Sequence, residues 1–249
     1  MHELLRVENI SRRFGGVLAL DRASLIAEEG QIVALVGPNG AGKTTLFAII
    51  TGFLGPSEGR VLYRDDDITG QPPHLLARRG IARTFQIAQP FAGLTVRENI
   101  AVGAHLHHAA RGKALAAAEA IAQEVGLAPM LDQSAANLTV AGRKRLELAR
   151  ALAIEPKLLL LDEVLAGLNP SEVRDMVPVI KAIRARGITT VMIEHVMQAV
   201  MSLAEQVFVL AEGRIIAMGP PDAIAADARV IEAYLGHGAA ERMRGVAHG

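Results

Sequence analysis

Short apolar runs and longer amphipathic stretches alternate along the chain, and this pattern predicts an α/β fold. The apolar runs at residues 32–36, 158–161 and 188–193 have the length and aliphatic content of strands that are buried on both faces. Residues 43–51 are predicted to form a helix, and Asn169 begins another, with proline in the first position and glutamate three residues after the cap. A chain of 249 residues with this alternation fits one large domain.

Two parts of the first 160 residues depart from the alternation. Residues 4–10 and 17–27 alternate loosely enough to form an antiparallel hairpin. Residues 89–154 are predicted to be a mostly helical insert. This insert contains the capping-box sequence Thr95-Val96-Arg97-Glu98, which is followed by an alanine-rich helical stretch as far as residue 125.

The C-terminal part of the chain predicts a hairpin and one helix. The hairpin pairs residues 207–211 with residues 214–218, and the helix runs to about residue 235. We expect residues 1–238 to form the domain and residues 239–249 to form a tail.

The first buried strand runs into the sequence Gly37-Pro38-Asn39-Gly40-Ala41-Gly42-Lys43-Thr44-Thr45, which has the pattern of a phosphate-binding loop. Its glycines allow backbone conformations that are closed to other residues, so that successive N–H groups can turn toward a triphosphate at a helix N-terminus. Lys43 adds a positive charge near the β- and γ-phosphates, and the Thr44 hydroxyl is a ligand for Mg²⁺. The sequence therefore predicts that ATP and Mg²⁺ bind at this loop.

Two other buried strands end in polar side chains. Asp162 and Glu163 follow one of them, and His195 follows the other. Because binding groups gather at the carboxyl ends of parallel strands, we expect Asp162 to hold Mg²⁺ and His195 to reach the γ-phosphate. Glu163 is then placed to orient and deprotonate the attacking water. The alternatives, a strand capped by surface acids and a structural histidine, are less favoured beside a phosphate-binding loop.

Composition limits the partners and the compartment. Lys+Arg and Asp+Glu are both 26, so no basic surplus indicates a nucleic-acid partner. The chain has no cysteine, which excludes disulfides and thiolate metal sites. No apolar run approaches the roughly 20 residues that span a bilayer, and the N-terminus lacks the apolar core of a signal peptide. We therefore expect a cytosolic chain that meets a membrane only through another protein.

Two further clusters contain potential metal ligands. Asp65-Asp66-Asp67 has no histidine or additional carboxylate beside it, which favours a solvated turn. Of His105, His107 and His108, only the first and the last share a helix face, and no acid is close in sequence. A solvated helix surface is the favoured interpretation of these histidines.

Together, the motifs resemble those of the ATP-binding subunits of ABC transporters. The resemblance covers residues 4–236 and rests on the phosphate loop, TFQ at Gln86, LLLLDE at Glu163, AGLN at Asn169 and IEH at His195. It implies a P-loop NTPase with a recombinase-like parallel-sheet core, an N-terminal antiparallel β subdomain and an inserted helical subdomain at about residues 89–154.

The resemblance also implies roles for three residues. Gln86 would sense the γ-phosphate and Mg²⁺ and couple them to a membrane subunit, and Asn169 would contact a second ATPase subunit. Phe14 would stack on the nucleotide base, although packing within the hairpin is an equal alternative for an aromatic residue there.

Within this family, the chain is most similar to the importers of branched-chain amino acids. The residues that carry this likeness are ARTFQ at 82–86, LTVRENI at 94–100, RLELARAL at 145–152 and VIEAYLG at 230–236. It implies membrane permease subunits as partners, a peripheral place on the cytoplasmic face of the inner membrane, and indirect dependence on a solute-binding protein. The alternatives are urea or amide import, lipopolysaccharide export, and a soluble ABC-type ATPase.

Two departures from the family pattern affect these expectations. The signature Leu-Ser-Gly-Gly-Gln falls at Leu138-Thr139-Val140-Ala141-Gly142, which keeps a hydroxyl and loses both glycines and the glutamine. In the family this segment closes over the ATP bound to the partner subunit. In a homodimer of this chain, the altered segment would therefore close both ATP sites weakly. We therefore expect a heterodimer with a related ATPase. We also expect the helix that follows the signature to begin at about Arg143.

The second departure is Val164, which replaces the usual proline. It predicts a less rigid loop to Asn169.

Overall fold

The computed structural model describes residues 2–86 and 89–235. The strands in this part of the chain are β1 (Glu3–Phe14), β2 (Val17–Glu28), β3 (Ile32–Val36), β4 (Glu58–Tyr63), β5 (Asp66–Asp67), β6 (Ile81–Arg83), β7 (Leu158–Asp162), β8 (Thr189–Ile193), β9 (Gln206–Ala211) and β10 (Arg214–Gly219). The helices are α1 (Lys43–Ile50), α2 (Pro73–Arg78), α3 (Val96–Ala104), α4 (Arg111–Glu124), α5 (Val140–Leu152), α6 (Pro170–Ala185), α7 (Met197–Leu203), α8 (Pro221–Ala225) and α9 (Ala228–Leu235). The expected tail at residues 239–249 lies outside the described residues.

An antiparallel sheet contains the N-terminal hairpin, in the strand order β2-β1-β4-β5. The predicted hairpin is confirmed, but β1 extends beyond the expected end at residue 10, and Phe14 pairs with Val17 across the turn. Leu5, Val7 and Ile10 of β1 are buried. All three pack into one apolar cluster, and a register irregularity between Val7 and Ile10 accounts for the interval of three residues there.

The second sheet has the order β10-β9-β3-β8-β7-β6 and is parallel except for β10. Every residue of β3, β7 and β8 is buried, as expected for strands covered on both faces. Because β8 lies between β3 and β7, the segments that follow these three strands emerge side by side at one edge. This arrangement confirms the predicted parallel-sheet core and determines where the functional side chains meet.

Apolar layers cover both faces of the parallel sheet. On one face, Leu46, Phe47 and Ile50 of α1 pack into a cluster shared with the antiparallel sheet. On the other face, α5 and α6 contribute to a larger cluster that includes Leu148 and Ile180. The phosphate loop is therefore held between a buried strand and a buried helix.

The predicted helix caps are present. The Thr95 hydroxyl accepts from the Glu98 N–H at 3.1 Å, and a Glu98 carboxylate oxygen accepts from the Thr95 N–H at 3.1 Å. At α6, the Asn169 side-chain oxygen accepts from the N–H groups of Ser171 and Glu172 at 2.9 and 3.0 Å. Both capping boxes fix the entry of a helix, as the sequence pattern predicts.

The helical segment differs from the prediction in two places. The alanine-rich stretch is interrupted, with α3 ending at Ala104 and α4 beginning at Arg111. The helix of the signature segment begins at Val140, so the expected start near Arg143 is wrong. Thr139 is extended, with φ −62° and ψ 171°, and its hydroxyl accepts from the Gly142 N–H at 3.2 Å. This N-cap starts the helix three residues earlier than expected.

The C-terminal part contains more helices than predicted. The short helix α7 follows β8 and has no counterpart among the sequence-based expectations. The expected last helix is divided into α8 and α9, because the Asp227 carboxylate accepts from the Arg229 N–H at 2.9 Å and starts a new helix there. In the described residues, no helix is both long enough and apolar enough to cross a membrane.

Candidate functional site

A cavity of about 700 Å³ opens at the sheet edge where β3, β7 and β8 end. The phosphate loop forms one wall, and residues from more distant segments form the others. The lining residues are Ala19, Asn39, Gly40, Ala41, Gly42, Lys43, Thr44, Thr45, Gln86, Glu163 and His195. The structure therefore brings most of the proposed nucleotide-binding and catalytic side chains around one space.

Two glycines of the phosphate loop are required by close contacts and by backbone angles. Gly37 has φ +152°, and a Cβ atom there would lie 1.9 Å from the Leu210 carbonyl oxygen. Gly42 has φ +106°, and a Cβ atom there would lie 2.6 Å from the Ala19 carbonyl oxygen. A side chain at either position would displace the loop, so glycine is needed for the curve that directs its N–H groups inward.

The Lys43 ammonium lies across the phosphate loop. It donates to the carbonyl oxygens of Gly37 at 2.7 Å and of Pro38 at 2.9 Å, and Lys43 is only 6% exposed. Burial lowers the pKa of Lys43, whereas the nearby carboxylates of Glu163 and Asp162 raise it. The Lys43 charge thus lies at the cavity, close enough to Glu163 and Asp162 to be stabilised by them.

Asp162 and Thr44 line a second cavity of about 520 Å³ beside the first. Asp162 is 1% exposed, and one of its carboxylate oxygens accepts from the Arg83 guanidinium at 2.7 Å. Its other oxygen, Oδ1, is buried and has no hydrogen-bond partner among the described residues. A buried carboxylate oxygen that lacks a donor is suited to a cation, so these residues fit Mg²⁺.

Glu163 is held at both carboxylate oxygens. Oε2 accepts from the Gln86 amide at 2.8 Å, and Oε1 lies 2.9 Å from Nε2 of His195. An ionised carboxylate only accepts, so Nε2 of His195 is the donor in this pair. The three side chains, which lie far apart in the sequence, form one hydrogen-bonded group that faces the phosphate loop.

Glu194 is a buried acid that was not among the predicted site residues. It is 1% exposed, and its Oε1 accepts from the Leu165 N–H at 3.0 Å. Burial raises the pKa of Glu194 to about 7, an increase that the Glu163 charge reinforces and Lys144 opposes. Its position directly before His195, at the end of a buried strand, was the signal that could have identified it.

Arg83 and Lys144 also contact the site and were absent from the predicted residues. Arg83 pairs with Asp162, and Lys144 donates to the main chain of Gln86 and Glu163. Lys144 belongs to none of the quoted motifs, and ARTFQ at residues 82–86 contains Arg83 without indicating a role for it. Their contacts depend on tertiary structure, so the sequence carried no signal for them.

The signature residues and Asn169 lie outside the cavity lining. Leu138 and Gly142 are buried, Thr139 caps α5, and Val140, in the first turn of α5, is 56% exposed. A Cβ atom at Gly167 would lie 3.9 Å from Val140, so the signature segment is close to the loop that ends at Asn169.

Phe14 lies at the tip of the first hairpin. Its ring is 46% exposed, and the Arg12 guanidinium lies 4.8 Å from the ring centre. Ala19, and not Phe14, lines the cavity on this side. The exposed ring area remains accessible to a base.

The histidines of the helical segment make local contacts. His105 and His107 lie 3.0 and 2.9 Å from backbone carbonyl oxygens of His108 and Ile154. No acid is close to these histidines in sequence, but the fold brings the Glu155 carboxylate to 3.6 Å from His108. Within residues 2–86 and 89–235, no group of three or more acidic, histidine or cysteine side chains is arranged to hold a metal.

Comparison with protein families identifies the site. A family model described as ABC transporter matches residues 20–166, more than half of the chain. This chain belongs to the ABC transporter ATP-binding family. A second model, described as branched-chain amino acid ATP-binding cassette transporter, matches residues 214–240 of this ABC ATPase. The predicted family resemblance and the assignment as an ATP-hydrolysing enzyme are confirmed.

Curated relatives of this ABC ATPase are similar over nearly their whole length. The high-affinity branched-chain amino acid transport ATP-binding protein BraF of Pseudomonas aeruginosa is 37% identical, with 94% of this chain and 98% of the relative covered. The protein of the same description named LivG in Escherichia coli strain K12 is 38% identical with the same coverage. A probable LivG of Archaeoglobus fulgidus is 35% identical, with 94% and 96% covered.

Solved structures confirm the fold of this ABC ATPase. A nucleotide-free ATP-binding cassette from an ABC transporter has a TM-score of 0.87 at 34% identity, with 95% of this chain and 100% of that chain covered. The ADP conformation of an ATP-binding cassette has a TM-score of 0.85 at 34% identity, with the same coverage.

Proposed function

We propose that this ABC ATPase powers the import of branched-chain amino acids through separate membrane permease subunits. The cavity in which Lys43, Glu163 and His195 meet is the observation that supports ATP hydrolysis as the source of energy. The curated relatives described above are named for branched-chain amino acid transport, which favours this substrate over urea, amides or lipopolysaccharide. The ATPase would then be peripheral, on the cytoplasmic face of the membrane, and would depend indirectly on a solute-binding protein.

The phosphate loop and Lys43 would bind the triphosphate. Lys43 now donates to two loop carbonyls, and it would exchange these contacts for the β- and γ-phosphate oxygens. Thr44 and the free oxygen of Asp162 would hold Mg²⁺, with Gln86 close by. The bound ion would neutralise charge that develops on the phosphates.

Glu163 would act as the general base. A water placed between its carboxylate and the γ-phosphate would lose a proton to Glu163 as its oxygen attacks phosphorus, and the bond to ADP would break. Gln86 and His195 each contact one carboxylate oxygen, and each oxygen keeps a second lone pair that could accept from the water. Bound ATP would compete with Glu163 for the His195 ring. His195 would then be free to donate from Nε2 to the γ-phosphate.

An apolar groove offers a contact surface for the permease. Phe85, Val102 and Leu106 are exposed and line a cavity of about 330 Å³ between the sheet core and the helical segment. Phe53 packs edge-on against Phe85, with ring centres 5.6 Å apart, and is also exposed. Exposed aromatic and aliphatic side chains that lie together are typical of protein interfaces.

We expect Leu106→Glu to abolish copurification with the permease, because a charge in an apolar interface remains desolvated without a partner. Met218→Glu provides a matched control, since Met218 is 68% exposed on β10, outside the groove. Affinity purification of the ATPase from membranes measures the permease retained. Equal recovery with both variants would refute the groove as the docking surface.

We also propose a heterodimer with a related ATPase. Val140 and Ala141 add side chains at positions where the family approaches phosphate with glycine backbone. A partner with an intact signature would close the site built on Lys43 and Glu163, and only the opposite site would be impaired. Thr139 and the N-terminus of α5 would still attract the partner's γ-phosphate weakly.

The heterodimer predicts that the isolated chain hydrolyses ATP at least about 10-fold more slowly than the assembled transporter, because neither of its sites is properly closed. Steady-state phosphate release measures this difference. It would be recorded for the chain alone, at increasing protein concentration, and for the assembly. Equal turnover per site would show that the altered signature closes a homodimer well.

A further inference from the structure

The Lys144 ammonium joins two segments of the site from distant parts of the chain. Lys144 lies in α5 and is 7% exposed. Its Nζ donates to the carbonyl oxygen of Gln86 at 3.0 Å and to that of Glu163 at 2.8 Å. One buried group therefore fixes the main chain of both residues whose side chains meet over the cavity.

The main chain of Glu163 needs support on both sides. Its φ is +51°, in the left-handed region that non-glycine residues adopt only at an energetic cost. The Glu163 N–H donates to the Ile193 carbonyl oxygen at 3.0 Å, and its own carbonyl accepts from Lys144. The strained conformation, and with it the direction of the carboxylate, is thus held by β8 and by α5 together.

Other side chains on the same face of α5 hold the continuation of the Gln86 loop. Arg150 donates to the Gln89 carbonyl oxygen at 3.0 Å and to the Glu147 carboxylate at 2.7 Å. Lys144, Glu147 and Arg150 are spaced three residues apart, so they lie along one side of the helix. The helix therefore contacts the main chain at Gln86 and again at Gln89.

Two buried carboxyl groups lie near the Lys144 ammonium. Burial raises the pKa of Glu147 and of Glu194, and the Lys144 ammonium opposes both increases. A neutral side chain of similar length at this position would keep the packing, and it would remove both carbonyl contacts and this charge.

The helix that carries Lys144 also carries the signature residues. Thr139 caps α5, so a shift of this helix moves the signature and Lys144 together. We propose that Lys144 is a positioning residue that ties the signature helix to Glu163, so that this chain's hydrolysis site responds to the position of its signature. This role rests on the proposed function, in which the signature contacts the ATP of the second subunit.

Steady-state hydrolysis by the assembled transporter tests the role with Lys144→Met. We expect kcat to fall by about 10- to 100-fold, because Glu163 loses its orientation. The dissociation constant for ATP should stay within about threefold, since the phosphate loop is untouched. Lys144→Arg should recover most of the lost turnover, because a guanidinium can donate to both carbonyls.

Arg145→Met is the matched control. Arg145 lies on the same helix and donates to a backbone carbonyl, that of Val125 at 2.7 Å, within the helical segment. The Arg145→Met substitution should reduce thermal stability without a selective loss of kcat. The proposal would be overturned if the kcat of Lys144→Met stayed within twofold of the parent. It would also be overturned if Arg145→Met lost as much kcat as Lys144→Met, or if Lys144→Met lost ATP affinity to the same extent as kcat.

The parent complex separates this proposal from the proposed function. A parent that hydrolyses ATP as fast as its Lys144→Met variant overturns only the role of Lys144. A parent assembly that does not hydrolyse ATP overturns both.

Discussion

Lys43→Ala is expected to remove most of the affinity for Mg-ATP, with a loss of about 100-fold or more. The side chain supplies the positive charge nearest to the phosphate loop, and in the cavity this charge is shielded from water. Coulomb attraction to the β- and γ-phosphates is stronger there than at an exposed surface. Titration calorimetry of the purified chain with Mg-ATP measures the change directly.

The Lys43 variant requires a control for the loop itself, because the ammonium also bonds to the carbonyls of Gly37 and Pro38. Lys43→Arg keeps the charge and changes the geometry, and Lys113→Ala removes an exposed lysine of α4. A specific role for Lys43 is supported if the Lys113 variant binds Mg-ATP like the parent and the Lys43 variants lose affinity for Mg-ATP. Unchanged binding by Lys43→Ala would refute the nucleotide site.

Glu163→Gln is expected to retain ATP affinity and to lower hydrolysis by about 100-fold or more. Glutamine has the size of glutamate and can still accept one of the two bonds that now hold the carboxylate. Its amide cannot take a proton from water, so the loss falls on kcat and not on binding. His195→Ala should act in the same direction, because the second contact to the carboxylate disappears.

The assembled complex is the proper material for this measurement, since the proposed partner closes the site built on Lys43 and Glu163 only in the assembly. Single-turnover and steady-state rates should fall together in the Glu163→Gln complex if chemistry has become limiting. Near-normal turnover would mean that another group accepts the proton, and the role of Glu163 would be wrong.

Local signals explain why much of the fold could be predicted from the sequence. The bounds of β3 match the predicted strand, and the capping residues Thr95 and Asn169 begin helices as expected. Each of these features depends on neighbouring residues only, either through burial of a short aliphatic run or through hydrogen bonds within one turn. The phosphate loop could likewise be predicted from a short run of neighbouring residues.

The missed features depend on tertiary contacts. Arg83 meets Asp162, and Lys144 meets Gln86, only because β6, β7 and α5 pack together. The start of α5 is the exception, because its signal is local. Thr139 is a residue type favoured at N-caps, and its hydroxyl accepts from the Gly142 N–H within the first turn.

ATP-driven uptake of labelled leucine measures the proposed transport function itself. The transporter would be reconstituted in vesicles with Mg-ATP on the side of the ATPase and the solute-binding protein on the other. We expect leucine accumulation that requires Mg-ATP and this chain, and that is lost in the Glu163→Gln assembly together with hydrolysis. Hydrolysis by the parent assembly without leucine accumulation, or accumulation that persists in the Glu163→Gln assembly, would contradict the proposed function.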